Sequence, residues 1–126
     1  MKKTASLCLW VATLLTTGLT YAGVDHQLIQ SAEKNIVTVA QAKKLSDETP
    51  VLLNGTLLKH VNQDHYEFQD RSGIILLDLD DDLLRDANVK IGDPIRIWGE
   101  IDTHRYKPTD IEVEKIEKIA KLAPTP

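Results

Sequence analysis

Apolar and polar residues alternate in five separate stretches of the chain, a pattern typical of β-strands with one face in a core. We predict strands at 51–59, 65–69, 74–80 and 95–102 and from 111 onward. In the third strand, Ile75, Leu77 and Leu79 form the inward-facing set. The phase of the fifth changes at Lys115, which indicates a bulge or a turn of helix there.

Helical spacing is confined to short segments between these strands. Thr38 precedes Val39, Ala42 and Leu45, which recur at helical spacing, so we predict a short amphipathic helix that covers one end of the sheet. Residues 81–88 have room for only a helical turn. Residues 23–37 show a weak pattern, and we predict a flexible arm there; the tail 121–126 is predicted to be frayed.

Five strands with a helical element between the third and the fourth follow the order of the OB-fold, a small Greek-key barrel. We therefore predict an all-β fold with short helices, in which residues 38–120 form a five-stranded OB-fold barrel preceded by a short helix. Closure into a barrel would also remove the exposed strand edges that promote aggregation. An open α+β sheet is the alternative.

The first 22 residues have the charge profile of a secretory signal peptide. Lys2 and Lys3 precede an apolar run from residue 7 to residue 15, and no acidic residue occurs before Asp25. The run is shorter than the roughly 20 residues that a membrane-spanning helix needs. We therefore predict cleavage near Ala22, export to the periplasm and no membrane span.

Export changes the composition of the protein that folds. The single cysteine, Cys8, lies in the predicted signal peptide, so disulfides and thiolate metal sites are excluded from the mature protein. Loss of Lys2 and Lys3 takes the formal net charge from −4 to −6. An acidic, exported domain is a poor partner for nucleic acid, so we expect none to bind.

Four segments read together resemble the bacterial OB-fold (BOF) family: 51–56, 66–74, 92–102 and 111–113. The resemblance covers about residues 38–119. It implies a signal peptide, periplasmic residence, an OB barrel and a role in tolerance of oxidants, metal ions or cationic antimicrobial peptides. Because the sequence also shows no nucleophile–base arrangement and no phosphate-binding glycine loop, we predict a monomeric binding protein with no enzymatic activity and no cofactor.

The predicted ligand-binding residues lie where OB-folds commonly bind, beside the first hairpin turn and in the loop between the last two strands. The outer face of the fourth strand adds an arginine and a tryptophan, which serves either as a stacking platform or as a surface covered by the N-terminal helix. A small molecule, a cell-wall glycan or a cationic agent is the expected partner. The predicted set is Lys59, His60, His65, Arg96, Trp98, His104, Arg105, Tyr106 and Lys107.

The sequence is also compatible with two alternative functions. A metal-binding protein could use His60, His65 and His104 with Asp64 or Asp102 as a fourth ligand. The acidic run 78–82 does not fit the calcium loop of an EF-hand, so we interpret it as a solvated helix start. The other alternative is an adaptor that contacts an envelope protein through the sheet face around Trp98.

Overall fold

The computed structural model describes residues 25–120, which form three short helices and five strands. The predicted signal peptide 1–22 and the predicted frayed tail 121–126 lie outside the described residues. None of the described helices is long and apolar enough to cross a membrane. The elements in chain order are α1 His26–Glu33, α2 Val39–Ala42, β1 Pro50–Asn62, β2 His65–Asp70, β3 Gly73–Asp78, α3 Asp81–Asp86, β4 Pro94–Asp102 and β5 Asp110–Lys118.

The strands close into a barrel in the order β1-β2-β3-β5-β4. β3 and β5 are parallel, and every other neighbouring pair is antiparallel. This topology confirms the predicted OB-fold and excludes the open sheet.

Side chains of the predicted inward set fill the barrel. Ile75, Leu77 and Leu79 are at most 3% exposed, as period-2 alternation requires of a strand with one buried face. The remaining large side chains without exposure come from the other four strands and from α2. They are Phe68, Leu53, Leu57, Ile95, Ile97, Ile101, Ile111, Val39 and Val51.

The phase change at Lys115 is a β-bulge, as predicted. Trp98 pairs with Lys115 while the next residue of β4, Gly99, pairs with Val113, so Glu114 is the extra residue. A Cβ on Gly99 would collide with the backbone carbonyl of Glu112. Glycine at this position therefore allows β4 and β5 to approach closely beside the bulge.

The helix predicted after Thr38 covers one end of the barrel. The Thr38 side chain accepts a hydrogen bond from the Gln41 backbone N–H, and the Gln41 side chain accepts one from the Thr38 N–H, which completes a capping box. Asp70 Oδ2 also accepts a hydrogen bond from the Val39 N–H at 2.8 Å. The β2–β3 turn thus holds this helix while Val39 and Ala42 enter the core.

The prediction of a flexible arm over residues 23–37 is wrong for its described part, which contains α1. Leu28, Ile29 and Ala32 of this helix pack on Leu52 and Trp98, which lie on the outer face of the barrel. Burial of this apolar pair outweighs the weak local pattern of the segment, because tertiary packing supplies most of the stability of a short helix. α1 therefore forms a second, smaller core outside the barrel.

Candidate functional site

Two of the predicted histidines meet two aspartates at one end of the sheet. His104 Nε2 lies 3.3 Å from Asp110 Oδ2 and 3.5 Å from Asp102 Oδ2. His65 Nε2 lies 3.9 Å from the same Asp110 oxygen. We call these four residues the His–Asp cluster. Asp102, His104 and Asp110 each offer one potential ligand atom, and those atoms lie within 4.8 Å of one another.

Strand register brings the cluster together. Asp102, at the end of β4, pairs with Asp110, at the start of β5, so the β4–β5 loop that holds His104 begins and ends at cluster residues. His65 begins β2, directly after the β1–β2 turn. In OB-folds these two connections border the ligand-binding face. The cluster therefore lies where the fold commonly binds its ligands.

Asp110 is the buried member of the cluster, with 5% of its surface exposed. Its Oδ1 atom is buried without a hydrogen-bond partner, and His104 Nε2 is also buried without one despite its proximity to the two carboxylates. Burial raises the pKa of the Asp110 carboxyl above its usual value, and the neighbouring His104 partly offsets that rise. A buried carboxylate without a full set of partners is costly, so this site is under-satisfied as it stands.

Sequence reasoning missed Asp110 because it assigned the residue to the junction between a loop and the fifth strand. A signal was nevertheless present. Ile111 and Val113 face inward, so Asp110 and Glu112 fall on the opposite face, in line with the outward residues Asp102 and Glu100 of β4.

The structure does not bring the remaining predicted residues into this cluster. The His60 ring stacks on Tyr66 at a centroid distance of 4.5 Å, and its Nε2 lies 2.6 Å from the Gln63 carbonyl oxygen. Lys59 approaches Glu67 at 3.8 Å. Asp64 lies on the hairpin turn and lines a separate acidic pocket. Of the predicted metal set, the structure therefore brings His65, His104 and Asp102 together beside Asp110 and leaves His60 and Asp64 outside.

Trp98 is not available as a stacking platform, because α1 covers it and leaves it 3% exposed. Lys115 Nζ lies 4.3 Å from the centroid of its ring. The prediction that a helix covers Trp98 is correct, but the covering helix is α1 rather than α2. Arg96, the neighbour of Trp98 on the outer face of β4, donates a hydrogen bond to Asn54 at 2.9 Å. It lies about 20 Å along β4 from Asp102 and so outside the cluster.

The other basic and aromatic candidates lie in the β4–β5 loop and are open to solvent. Arg105, Tyr106 and Lys107 are exposed, with Tyr106 at 90%. They follow His104 directly, so this loop presents positive charge at its tip and a cluster residue at its base.

Carboxylates also face one another across neighbouring strands. Glu112 of β5 pairs with Asp78 of β3 on one side and with Glu100 of β4 on the other. The next row contains the Asp102–Asp110 pair. We call Asp78, Glu100, Asp102, Asp110 and Glu112 the acidic face. Like charges directly opposite each other destabilise a sheet, so this arrangement opposes folding in the absence of a counter-charge.

The electrostatics of the acidic face agree with this geometry. Desolvation and the neighbouring Glu114 and Asp78 raise the pKa of Glu112. Desolvation and the facing Glu112 likewise raise the pKa of Glu100. Both shifts mean that the folded protein binds these protons more tightly than ordinary carboxylates do, as expected where a positive partner is missing.

A pocket of about 310 Å³ adjoins the acidic face between β3, α3 and β5. Asp80 accepts a hydrogen bond from the Asp82 N–H at 3.1 Å and caps α3, so the predicted helix start within the acidic run is confirmed. Carboxylates make up five of the seven side chains that line this pocket, namely Asp64, Asp78, Asp80, Glu112 and Glu114. The arrangement suits a cationic ligand and disfavours an anionic one.

Comparison with known proteins identifies similar chains. The family model of the bacterial OB fold (BOF) protein matches residues 22–118. The calcium-regulated OB-fold protein CarO of Pseudomonas aeruginosa is 30% identical over 115 residues, which span 91% of each chain. Protein YgiW of Escherichia coli is 34% identical over 85 residues, which cover 68% of this chain and 65% of YgiW.

Solved structures show the same architecture. The structure of YgiW from E. coli matches with a TM-score of 0.63 at 34% identity, covering 68% of this chain and 90% of that one. Telomere capping protein Ten1 from Schizosaccharomyces pombe matches with a TM-score of 0.55 at 14% identity, over 68% of this chain and 81% of Ten1. At that identity the Ten1 match shows the fold alone.

Proposed function

The chain belongs to the bacterial OB-fold (BOF) family, and on that premise we propose that it is an exported binding protein that captures cationic agents during envelope stress. The observation that supports this most is the row Asp78–Glu112–Glu100, three carboxylates side by side on three adjacent strands. A positively charged ligand would relieve the repulsion within this row and would therefore bind with a favourable electrostatic free energy.

The adjoining acidic pocket extends the same surface. An extended cationic peptide could place one positive side chain in the pocket and others along the row, so that several contacts act together. A glycan is the less favoured ligand, because α1 covers Trp98, which was to supply the stacking surface.

Export is part of the proposal and rests on the sequence of residues 1–22. Cleavage near Ala22 would place the acidic face in the periplasm, the compartment that cationic antimicrobial peptides enter first. The mass of the protein recovered from a periplasmic fraction tests this, and an intact Met1 in that fraction would contradict it.

Binding of a fluorescently labelled, lysine-rich peptide tests the ligand class. We expect the double variant Glu100→Gln/Glu112→Gln to weaken binding by about tenfold at low salt, because two of the three charges of the row are lost. The matched control is Glu33→Gln/Glu117→Gln, which removes the same charge from exposed sites outside the row.

Anisotropy at low and high ionic strength distinguishes the outcomes. A specific face predicts strong binding by the wild type and by the control variant, and weak binding by the row variant. Equal losses in both variants would mean that net charge alone attracts the peptide, and the proposed face would then be wrong.

A further inference from the structure

Three members of the His–Asp cluster, Asp102, His104 and Asp110, have the spacing of a metal site, because their potential ligand atoms all lie within 4.8 Å of one another. In a tetrahedral site with metal–ligand bonds of about 2.0–2.1 Å, neighbouring ligand atoms lie about 3.4 Å apart. The distances from His104 Nε2 to Asp110 Oδ2 and Asp102 Oδ2 are 3.3 and 3.5 Å. His65 Nε2 lies 3.9 Å from Asp110 Oδ2 but outside the group of mutually close ligand atoms, so its side chain would have to turn toward an ion to become a fourth ligand.

The cluster contains polar atoms that hydrogen bonds within the protein do not satisfy. Asp110 is 5% exposed, and its Oδ1 atom has no hydrogen-bond partner. Its Oδ2 atom lies 3.3 Å from His104 Nε2 and 3.9 Å from His65 Nε2. His104 Nε2 is buried and close to two carboxylates, yet makes a hydrogen bond to neither. A divalent cation at the centre would coordinate these atoms and would offset the cost of the buried carboxylate.

The scaffold favours a defined coordination geometry. Asp102, Asp110 and His65 are terminal residues of β4, β5 and β2, and the barrel fixes the relative positions of these strands. Ligands held on regular elements lose little conformational entropy on binding. Two of the four donors remain partly open to solvent, since the side chains of Asp102 and His65 are 39% and 30% exposed, so an ion can enter.

From this geometry we infer that Asp102, His104 and Asp110 bind one divalent transition-metal ion per chain, and that His65, beside Asp110, turns inward to supply the fourth ligand. Two imidazole nitrogens and two carboxylate oxygens match Zn²⁺ best. Calcium is disfavoured, because it prefers six to eight oxygen ligands rather than imidazole nitrogens.

Calorimetric titration of Zn²⁺ into chelator-treated protein, produced from the full sequence, tests the site. We expect one ion per chain with a dissociation constant in the micromolar range or tighter. His104→Asn and Asp110→Asn should each weaken binding by at least about 100-fold, because each removes a direct ligand. His60→Asn is the matched control and should bind as the wild type does, since His60 stacks on Tyr66 outside the cluster.

Histidine NMR provides an independent readout. One equivalent of Zn²⁺ should shift the imidazole signals of His65 and His104 and leave those of His26 and His60 in place. Thermal melts of the metal-free variants identify any that fail to fold, and the variant of the partly exposed ligand, Asp102→Asn, then serves in place of such a variant. Absence of binding tighter than about 0.1 mM, or equal affinity in the wild type and in the folded ligand variants, overturns the proposal.

The metal site and the proposed peptide face are separable. His104→Asn removes a nitrogen ligand and no carboxylate, so it should weaken Zn²⁺ binding by at least about 100-fold and leave binding of the lysine-rich peptide within about twofold. Peptide binding by the row variant Glu100→Gln/Glu112→Gln tests only the acidic face, and its outcome does not depend on whether the protein binds Zn²⁺.

Discussion

The indole of Trp98 joins the helix α1 to the barrel. It lies on the outer face of β4 and contacts the small core formed by Leu28, Ile29, Ala32 and Leu52. An outward-facing residue of a barrel strand is thus as buried as the barrel interior. Trp98 therefore contributes to the stability of the fold, and a substitution measures how much.

We expect Trp98→Ala to lower the free energy of unfolding by about 3–5 kcal/mol, because it leaves a large cavity beneath α1. Urea denaturation followed by circular dichroism measures the change. Tyr106→Ala is the control, since Tyr106 is 90% exposed and its truncation should change stability by less than about 0.5 kcal/mol. A similarly small loss for Trp98→Ala would mean that α1 does not pack on the barrel.

At the scale of elements, Tyr66 links β2 to α3. Its hydroxyl donates a hydrogen bond to Asp81 Oδ1 at 2.7 Å, at the first residue of that helix. The pKa of Tyr66 is raised from 10.0 to about 12. Burial is the largest cause, and the hydrogen bond to Asp81 and the negative charge of that residue come next. The folded state therefore holds this proton more tightly than the unfolded state does.

This link predicts an alkaline loss of stability. As the pH rises from 10 to 12, the unfolded chain ionises Tyr66 before the folded one does, so the free energy of unfolding should fall by about 2–3 kcal/mol. Tyr66→Phe should cost about 1 kcal/mol at neutral pH through the lost hydrogen bond, and should abolish that part of the alkaline slope. Denaturant titrations at several pH values measure both, and Tyr106→Phe should keep the wild-type slope.

At the scale of the whole molecule, carboxylates from several elements gather on one part of the described surface. The acidic face and the adjoining pocket bring together carboxylates from β3, β4 and β5, with Asp64 of the β1–β2 turn and Asp80, which caps α3. The fold accepts this repulsion because the barrel core beneath it contains side chains with no exposure from all five strands. A surface that lowers stability in this way is expected where binding has been favoured over stability.

The double variant Glu100→Gln/Glu112→Gln should therefore be more stable than the wild type at pH 7, by about 0.5–1 kcal/mol. The pKa values of both groups are raised, so the wild type regains stability as the pH falls through the acid range, and the difference between the two proteins should shrink there. Denaturant titrations at pH 7 and at pH 4 measure this difference in the free energy of unfolding. A less stable double variant at pH 7 would show that the row is not repulsive.

The sequence by itself determined the strands and the barrel. Alternation at Ile75, Leu77 and Leu79 and at Ile95, Ile97 and Ile101 is a local signal of period 2, and local signals can be read without a structure. The bulge at Lys115 and the cap at Thr38 were likewise predictable, because each depends on a few adjacent residues.

Only the tertiary structure decided the role of α1 and the membership of the candidate site. α1 is stable because Leu52 and Trp98, far from it in sequence, present an apolar surface outside the barrel. His65 meets Asp110 because β3 lies between β2 and β5 and pairs with both, while the register of β4 against β5 sets Asp110 opposite Asp102. Such proximity depends on pairing between distant strands, which residue spacing along the chain does not encode.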